Sequence, residues 1–139
     1  MNSVADRISK QRRSWNMSRI RGANTKPELA VRSLLHRMGF RFRVHVRTLP
    51  GCPDIVLPRW KSVVLVHGCF WHRHRGCHLA YTPKSRKTFW LRKFEGNVCR
   101  DRKTLTKLKR LGWKALVVWE CELCDEDHLI RRLLREITG

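Results

Sequence analysis

Cysteine and histidine are the residues of this sequence best able to do chemistry, and their spacing sorts them into groups. Cys69, His74 and Cys77 form C-x4-H-x2-C, and Cys121 follows far along the chain. Three donors from one loop and a fourth from a distant strand end would make a Cys3His tetrahedral set of the kind that holds structural Zn2+. Thiolate and imidazole are borderline-soft donors, which suits that ion. The segment 69–87 has little apolar content to order itself, so a metal staple is physically sensible there. His72 and His78 compete for the loop positions, and Cys124 is the nearest rival of Cys121. Cys52, Cys99 and Cys124 otherwise read as buried free thiols.

A second group is hydrolytic. Asp54 opens a short apolar run after Pro53, Glu28 precedes it, and His67 and His72 follow. Metal-assisted phosphodiester hydrolysis needs a carboxylate to hold Mg2+ and a base to activate water. Mg2+ prefers oxygen ligands and keeps several waters, so one carboxylate with one backbone carbonyl suffices. Taken singly, each residue has a bland reading: Asp54 in a turn, His67 in the core, His72 a spare zinc ligand, Glu28 a helix-start carboxylate. Their grouping is what points to hydrolysis.

A third group is aromatic and basic. Phe70 and Trp71 sit inside the cysteine loop and Trp90 follows it, among Arg73, Arg75, Lys84, Arg86, Lys87, Arg92 and Lys93. Cations hold phosphates and rings wedge between base steps, which unstack most cheaply at a mismatch. The alternative is that Trp71 and Trp90 are ordinary core aromatics.

The whole chain carries the same message. Thirty-one Lys and Arg face eleven Asp and Glu, a formal net charge of +20. Such an excess repels itself in the compact state, so a polyanionic partner is the economical explanation, and nucleic acid is favoured because phosphate neutralisation releases counterions. A ribosomal-type structural protein or an anionic-membrane binder is the alternative, but no long apolar helix or anchor is present. The polar, basic N-terminus lacks a secretory pattern, so the expectation is a soluble cytoplasmic protein whose cysteines are not disulfides.

The elements that must position these groups follow from periodicity. A length of 139 residues suits one domain. Residues 1–24 read as a basic arm and 25–139 as the catalytic domain. A helix is expected from Pro27, capped by Thr25, with Leu29, Leu34, Leu35 and Met38 inward and Gly39 as its stop. Residues 40–46 alternate as a half-buried strand, 48–53 turn, and Asp54 to Leu57 and Ser62 to Val66 are strands. Thr88 to Leu111 is helical, with Phe89, Leu91 or Arg92, Val98, Leu105, Leu108 and Leu111 as its inner face. Trp113 to Trp119 is a buried strand, and Asp125 to Ile137 a closing helix. The order predicts a mixed α/β domain with its sheet covered by helices.

The string His67-Gly68-Cys69-Phe70-Trp71-His72 is specific. With Tyr81-Thr82-Pro83-Lys84, Phe89-Trp90, Asn97-Val98, Arg100-Asp101, Val118-Trp119-Glu120-Cys121, and upstream residues 13–21 (RSWNMSRIR) and 49–54 (LPGCPD), it resembles the very-short-patch-repair mismatch endonucleases. The likeness runs over about residues 7–123 in order. It implies a restriction-endonuclease-like α/β fold, a mixed sheet flanked by helices with a structural zinc site. It implies Mg2+-dependent nicking of one strand 5′ to the mismatched T of a T:G pair, as a monomer on double-stranded DNA in the bacterial cytoplasm and nucleoid, with repair-pathway proteins following. Asp54 and the Val66 backbone carbonyl would hold Mg2+, His72 would activate water, and His67, Glu28 and Asp101 would assist. Cys69, His74, Cys77 and Cys121 would hold Zn2+. Phe70, Trp71 and Trp90 would wedge from the major groove and Met17 and Ile20 from the minor groove, with Arg19, Lys84 and Arg86 on DNA. Two departures stand out: Gly76 lengthens the zinc loop by one residue, and no Glu-x-Lys follows Asp54, residues 64–67 being Val-Leu-Val-His. A non-catalytic zinc-stapled mismatch binder, a nickase of the same fold with other recognition, and an RNA-binding structural protein are the competing readings.

Overall fold

Thr25 starts the first helix as its spacing predicts: its hydroxyl accepts from Glu28 N at 3.3 Å, and Pro27 lies in the first turn. The structure, a computed structural model, describes residues 24–139, so the arm residues Met17, Arg19 and Ile20 lie outside the described residues. Helix α1 (Lys26–Arg37) buries Val31, Leu34 and Leu35, while Leu29 faces solvent at 49% exposure. Gly39 ends it at φ +94°.

The expected strand over 40–46 is cut down to β1 (Arg43–Val44), both residues exposed. The reason lies at His45, whose φ of +48° breaks the extended run. Phe40 still packs into the core, edge-on to Trp60 at 6.1 Å. β2 (Ile55–Leu57) is followed by a 3-10 turn (Pro58–Trp60) and β3 (Ser62–His67). Helix α2 (Lys87–Arg110) crosses over to β4 (Lys114–Trp119), and a 3-10 turn (Glu120–Cys124) leads to α3 (Glu126–Thr138), capped by Asp125.

These form one four-stranded sheet in the order β1-β2-β3-β4. The first two pairings are antiparallel; β3 and β4 are parallel, in register from Ser62 with Lys114 to His67 with Trp119. A parallel pair requires a long crossover, which α2 supplies. One face of the sheet (Ile55, Leu57, Val64, Leu116, Val118) packs on α1 and α3; the other (Val56, Val63, Leu65) packs on Leu105 and Leu108 of α2. The unbroken apolar run of β3 thus reflects burial on both faces.

The inner face of α2 differs from expectation. Phe94, Asn97 and Leu108 are buried, whereas Phe89, Leu91 and Leu111 are about half exposed. The helix turns a partly polar stripe, Asn97, Asp101 and Thr104, toward a cleft rather than toward the core, and a search for apolar periodicity passes over it. Thr104 also meets the 48–53 turn: a Cβ at Gly51 (φ +75°) would lie 2.4 Å from its methyl carbon, so only glycine fits. Among the described residues no helix is long and apolar enough to cross a membrane.

Candidate active site

A cleft of about 700 Å3 opens where β3 ends, between α1, α2 and the turn before β2. β3 delivers Val66 and His67 to it, the following loop delivers Trp71 and His72, and α2 delivers Asp101. Asp54, just ahead of β2, stands beside Val66. Its Oδ2 accepts from Val66 N at 2.7 Å, across an edge that β2 leaves unpaired because the β2–β3 register stops at Ile55 with Val64. A strand residue directs its N–H and carbonyl to the same neighbour, so the Val66 carbonyl shares that edge.

Burial pushes the Asp54 carboxyl up to about 7; the Val66 hydrogen bond opposes this and the neighbouring charge of Glu28 adds to it. Glu28, His45 and Asp54 place ligand atoms within 4.8 Å of one another. Opposite them, His72 Nδ1 is 2.7 Å from Asp101 Oδ2. The carboxylate accepts, so the Nδ1 proton is directed at Asp101 and Nε2 is left facing away from it. The His67 ring stacks on His72 at 3.9 Å, 4° from parallel. Burial, then the nearby His72, pull His67 down to about 4, against the pull of Asp101.

Beneath the loop, Cys69, His74, Cys77 and Cys121 gather their donor atoms within 4.8 Å. His74 Nδ1 lies 3.5 Å from Cys69 Sγ and 3.4 Å from Cys121 Sγ. Burial pushes the Cys69 thiol up to about 12 and raises Cys121 as well. Three thiols and an imidazole converging without a disulfide are a donor set that fits a metal ion, whose charge would offset the cost of burying thiolates. The rivals fall away from this group. His72 is committed to Asp101, Cys124 donates to Cys121 O at 2.9 Å, and His78 is exposed. Cys52, Cys99 and Cys124, expected to be buried thiols, are all exposed. Trp119 ties the two centres together, stacked on His74 at 4.2 Å and edge-on to His67 at 5.2 Å.

On the rim, Phe70, Trp71 and Trp90 cluster with centroids 5.0 to 5.8 Å apart. All three are half-buried, neither core residues nor free rings. Lys84 and Arg86 are exposed beside them, and Arg86 covers Phe89 at 4.4 Å.

The profile of the DNA mismatch endonuclease Vsr family matches residues 5–79. The chain belongs to this family. Among relatives of this Vsr-family chain, the type II nicking enzyme V.XorIIP of Xanthomonas oryzae pv. oryzae is 50% identical, covering 94% of this chain and 95% of its own length. The DNA mismatch endonuclease Vsr of Escherichia coli K12 is 43% identical, over 96% of this chain and 85% of that one. The solved catalytic domain of homing endonuclease I-Bth0305I superposes with a TM-score of 0.55 at 21% identity, covering 81% of this chain and 94% of that one, a likeness of fold. The protein is therefore a DNA endonuclease with a mixed α/β nuclease fold.

For this Vsr-family chain, Asp54, Val66, His67, His72, Asp101 and Glu28 all line one cleft; Val66 and Asp101 were named only through the resemblance. Several residues that hold the loop in place were given no such role by the sequence. Arg73, expected on phosphates, instead spans the loop: it donates to Tyr81 O at 2.9 Å and Thr82 Oγ1 at 3.0 Å and lies over Phe94 at 4.0 Å. Glu120 Oε1 accepts from Cys69 N at 2.9 Å, and Asn97 Nδ2 donates to Trp71 O at 3.0 Å. His45 and Arg32, both on Glu28, had no signal beyond being polar residues in apolar patterns.

Proposed function

We propose that the chain is a strand-specific nickase that cuts 5′ to the mismatched T of a T:G pair by Mg2+-dependent hydrolysis, opening very short patch repair of double-stranded DNA. The observation that carries this reading is a single cleft holding the Asp54 carboxylate and the His72–Asp101 pair, with Trp71 on its rim. Relatives named as nicking enzymes favour a cut in one strand, and the relative named as a mismatch endonuclease favours the substrate. The T:G preference rests on the resemblance carried by residues 67–72.

Asp54 and the Val66 carbonyl would hold Mg2+, an all-oxygen set suited to a hard cation and able to use a carboxylate otherwise costly to ionise. A bound ion would supply Lewis-acid charge for phosphodiester hydrolysis. The chain's own residues do the rest. Asp101 holds His72 in the tautomer that offers Nε2 to a water proton. His67, neutral down to about pH 4, packs against that ring and adds no second positive charge to it. Phe70, Trp71 and Trp90 form the wedge that opens the stack at the mismatch, with Lys84 and Arg86 on nearby phosphates. Cys69, His74, Cys77 and Cys121 would hold Zn2+ as a staple that presents the wedge.

The test is incision of end-labelled duplexes with and without one T:G pair, in Mg2+ and in EDTA. A Mg2+-dependent nick 5′ to the mismatched T, absent from the paired duplex, is the expected result. Binding without a nick would replace the enzyme by a mismatch sensor, and cutting that ignores the mismatch would favour a nickase with other recognition.

A further inference from the structure

Glu28 is held in an unusual way. Three donors converge on its Oε2: Asn24 N at 3.1 Å, Arg32 Nη2 at 2.6 Å and His45 Nε2 at 2.9 Å. A guanidinium cannot accept, and a carboxylate does, so the His45 Nε2 proton is directed to Glu28. None of these bonds falls on the other carboxylate oxygen. The Glu28 side chain is 4% exposed, and its ligand atoms lie within 4.8 Å of those of Asp54.

His45 is the element of this arrangement with the least structural reason to exist. It sits at φ +48°, in the left-handed region that a side-chain-bearing residue enters at a cost, and that conformation ends β1. It also touches both walls of the carboxylate pair. Its ring reaches Glu28, and its backbone N donates to Asp54 O at 3.3 Å. Arg32 completes the clamp from within α1, with its Nε buried and without a partner among the described residues. A cation 2.6 Å from Oε2 makes this cluster a poor place for a further metal ion, so the imidazole acts on the carboxylate.

We propose that His45 is a positioning residue for the nuclease reaction: with Arg32 it fixes the Glu28 carboxylate against Asp54, and so sets the rate and the divalent-ion requirement of strand cutting. The inference rests on the reading of Asp54 as the Mg2+ carboxylate. Supporting groups of this kind typically change metal affinity or activity by roughly 10- to 100-fold when removed.

The experiment compares full-length wild type with His45→Gly, His45→Gln and Asp54→Ala. Glycine removes the ring and also the backbone strain, and glutamine keeps a side-chain N–H donor. Single-turnover nicking of a T:G duplex is measured against Mg2+ concentration, alongside duplex binding in EDTA and thermal unfolding. Expected for His45→Gly are wild-type binding, a melting point no lower than that of the wild type, and a roughly 10- to 100-fold loss in rate or rise in the Mg2+ needed. His45→Gln should recover most of it. Normal nicking and Mg2+ dependence in His45→Gly, or equal losses in both variants tracking a fall in stability, would overturn the proposal. Asp54→Ala separates the two claims: if it nicks normally, the Mg2+ reading of Asp54 is wrong; if it is dead while His45→Gly is normal, only the role of His45 fails.

Discussion

Asp54 and His67 are both largely buried, with opposite signs. Asp54 is raised from 3.8 to about 7, so its contribution to stability is fully present below 3.8 and is lost as pH rises through about 7. His67 is lowered from 6.5 to about 4, so its contribution is present above 6.5 and is lost as pH falls through about 4. Their slopes oppose each other in mildly acid solution. In metal-free buffer, the stability of the wild type relative to Asp54→Asn should therefore increase as pH falls from about 8 to about 5, because only the carboxyl differs between the two. Urea unfolding across that range measures it, and a flat difference would place Asp54 in a more solvated setting than the cleft described. On the reading of Asp54 as the Mg2+ carboxylate, the cation competes with the proton, so Mg2+ should raise the melting point more at pH 8 than at pH 6.

The 3-10 turn after β4 carries two cysteines that sequence spacing alone leaves as rivals. Cys121 joins the Cys69–His74–Cys77 group, and Cys124 points a thiol at a backbone carbonyl. Cys121→Ser should lower both the metal content of the purified protein and its thermal midpoint, while Cys124→Ser should alter neither. Elemental analysis with a melting curve decides it, and full metal content in Cys121→Ser would reassign the ligand. Elements were legible where local chemistry sets them. The Thr25 cap, the apolar run of β3 and the Asp125-capped α3 all stand where their patterns put them. The strand at 40–46 was misjudged because its alternation is apolar on schedule, yet one backbone angle at His45 bends it away. The inner face of α2 was read correctly at Leu105 and Leu108, which pack on the sheet, and missed at Asn97 and Asp101, polar residues that line the cleft and give no apolar signal. The cleft residues were readable from the string at residues 67–72 and its companions, since Val66 and Asp101 give no signal by spacing. The Glu28 clamp was not, because it joins a helix, a strand end and a chain entry that only folding brings together.

Across the whole molecule, a +20 charge makes tight DNA binding easy and discrimination hard, since phosphates are the same at every step. On the reading proposed above, discrimination comes from the aromatic rim. Trp71→Ala should weaken mismatched-duplex binding more than paired-duplex binding, by about 1–3 kcal/mol if the ring stacks on a base. Titrations of both duplexes at one salt concentration test this, and equal losses would make Trp71 a packing residue. The parallel pairing of β3 with β4 has a consequence for biosynthesis. Residues 54, 66, 67, 72 and 101 all leave the ribosome before β4 does, but the sheet that fixes the end of β3 closes only when residues 114–119 arrive, and the last thiol of the metal-ligand set comes just behind them. Long-range parallel pairing is intrinsically slow to form. A nascent or truncated chain that stops short of β4 therefore carries the cleft residues without the strand that aligns them, and the cleft takes its shape only once residues 114–119 are made.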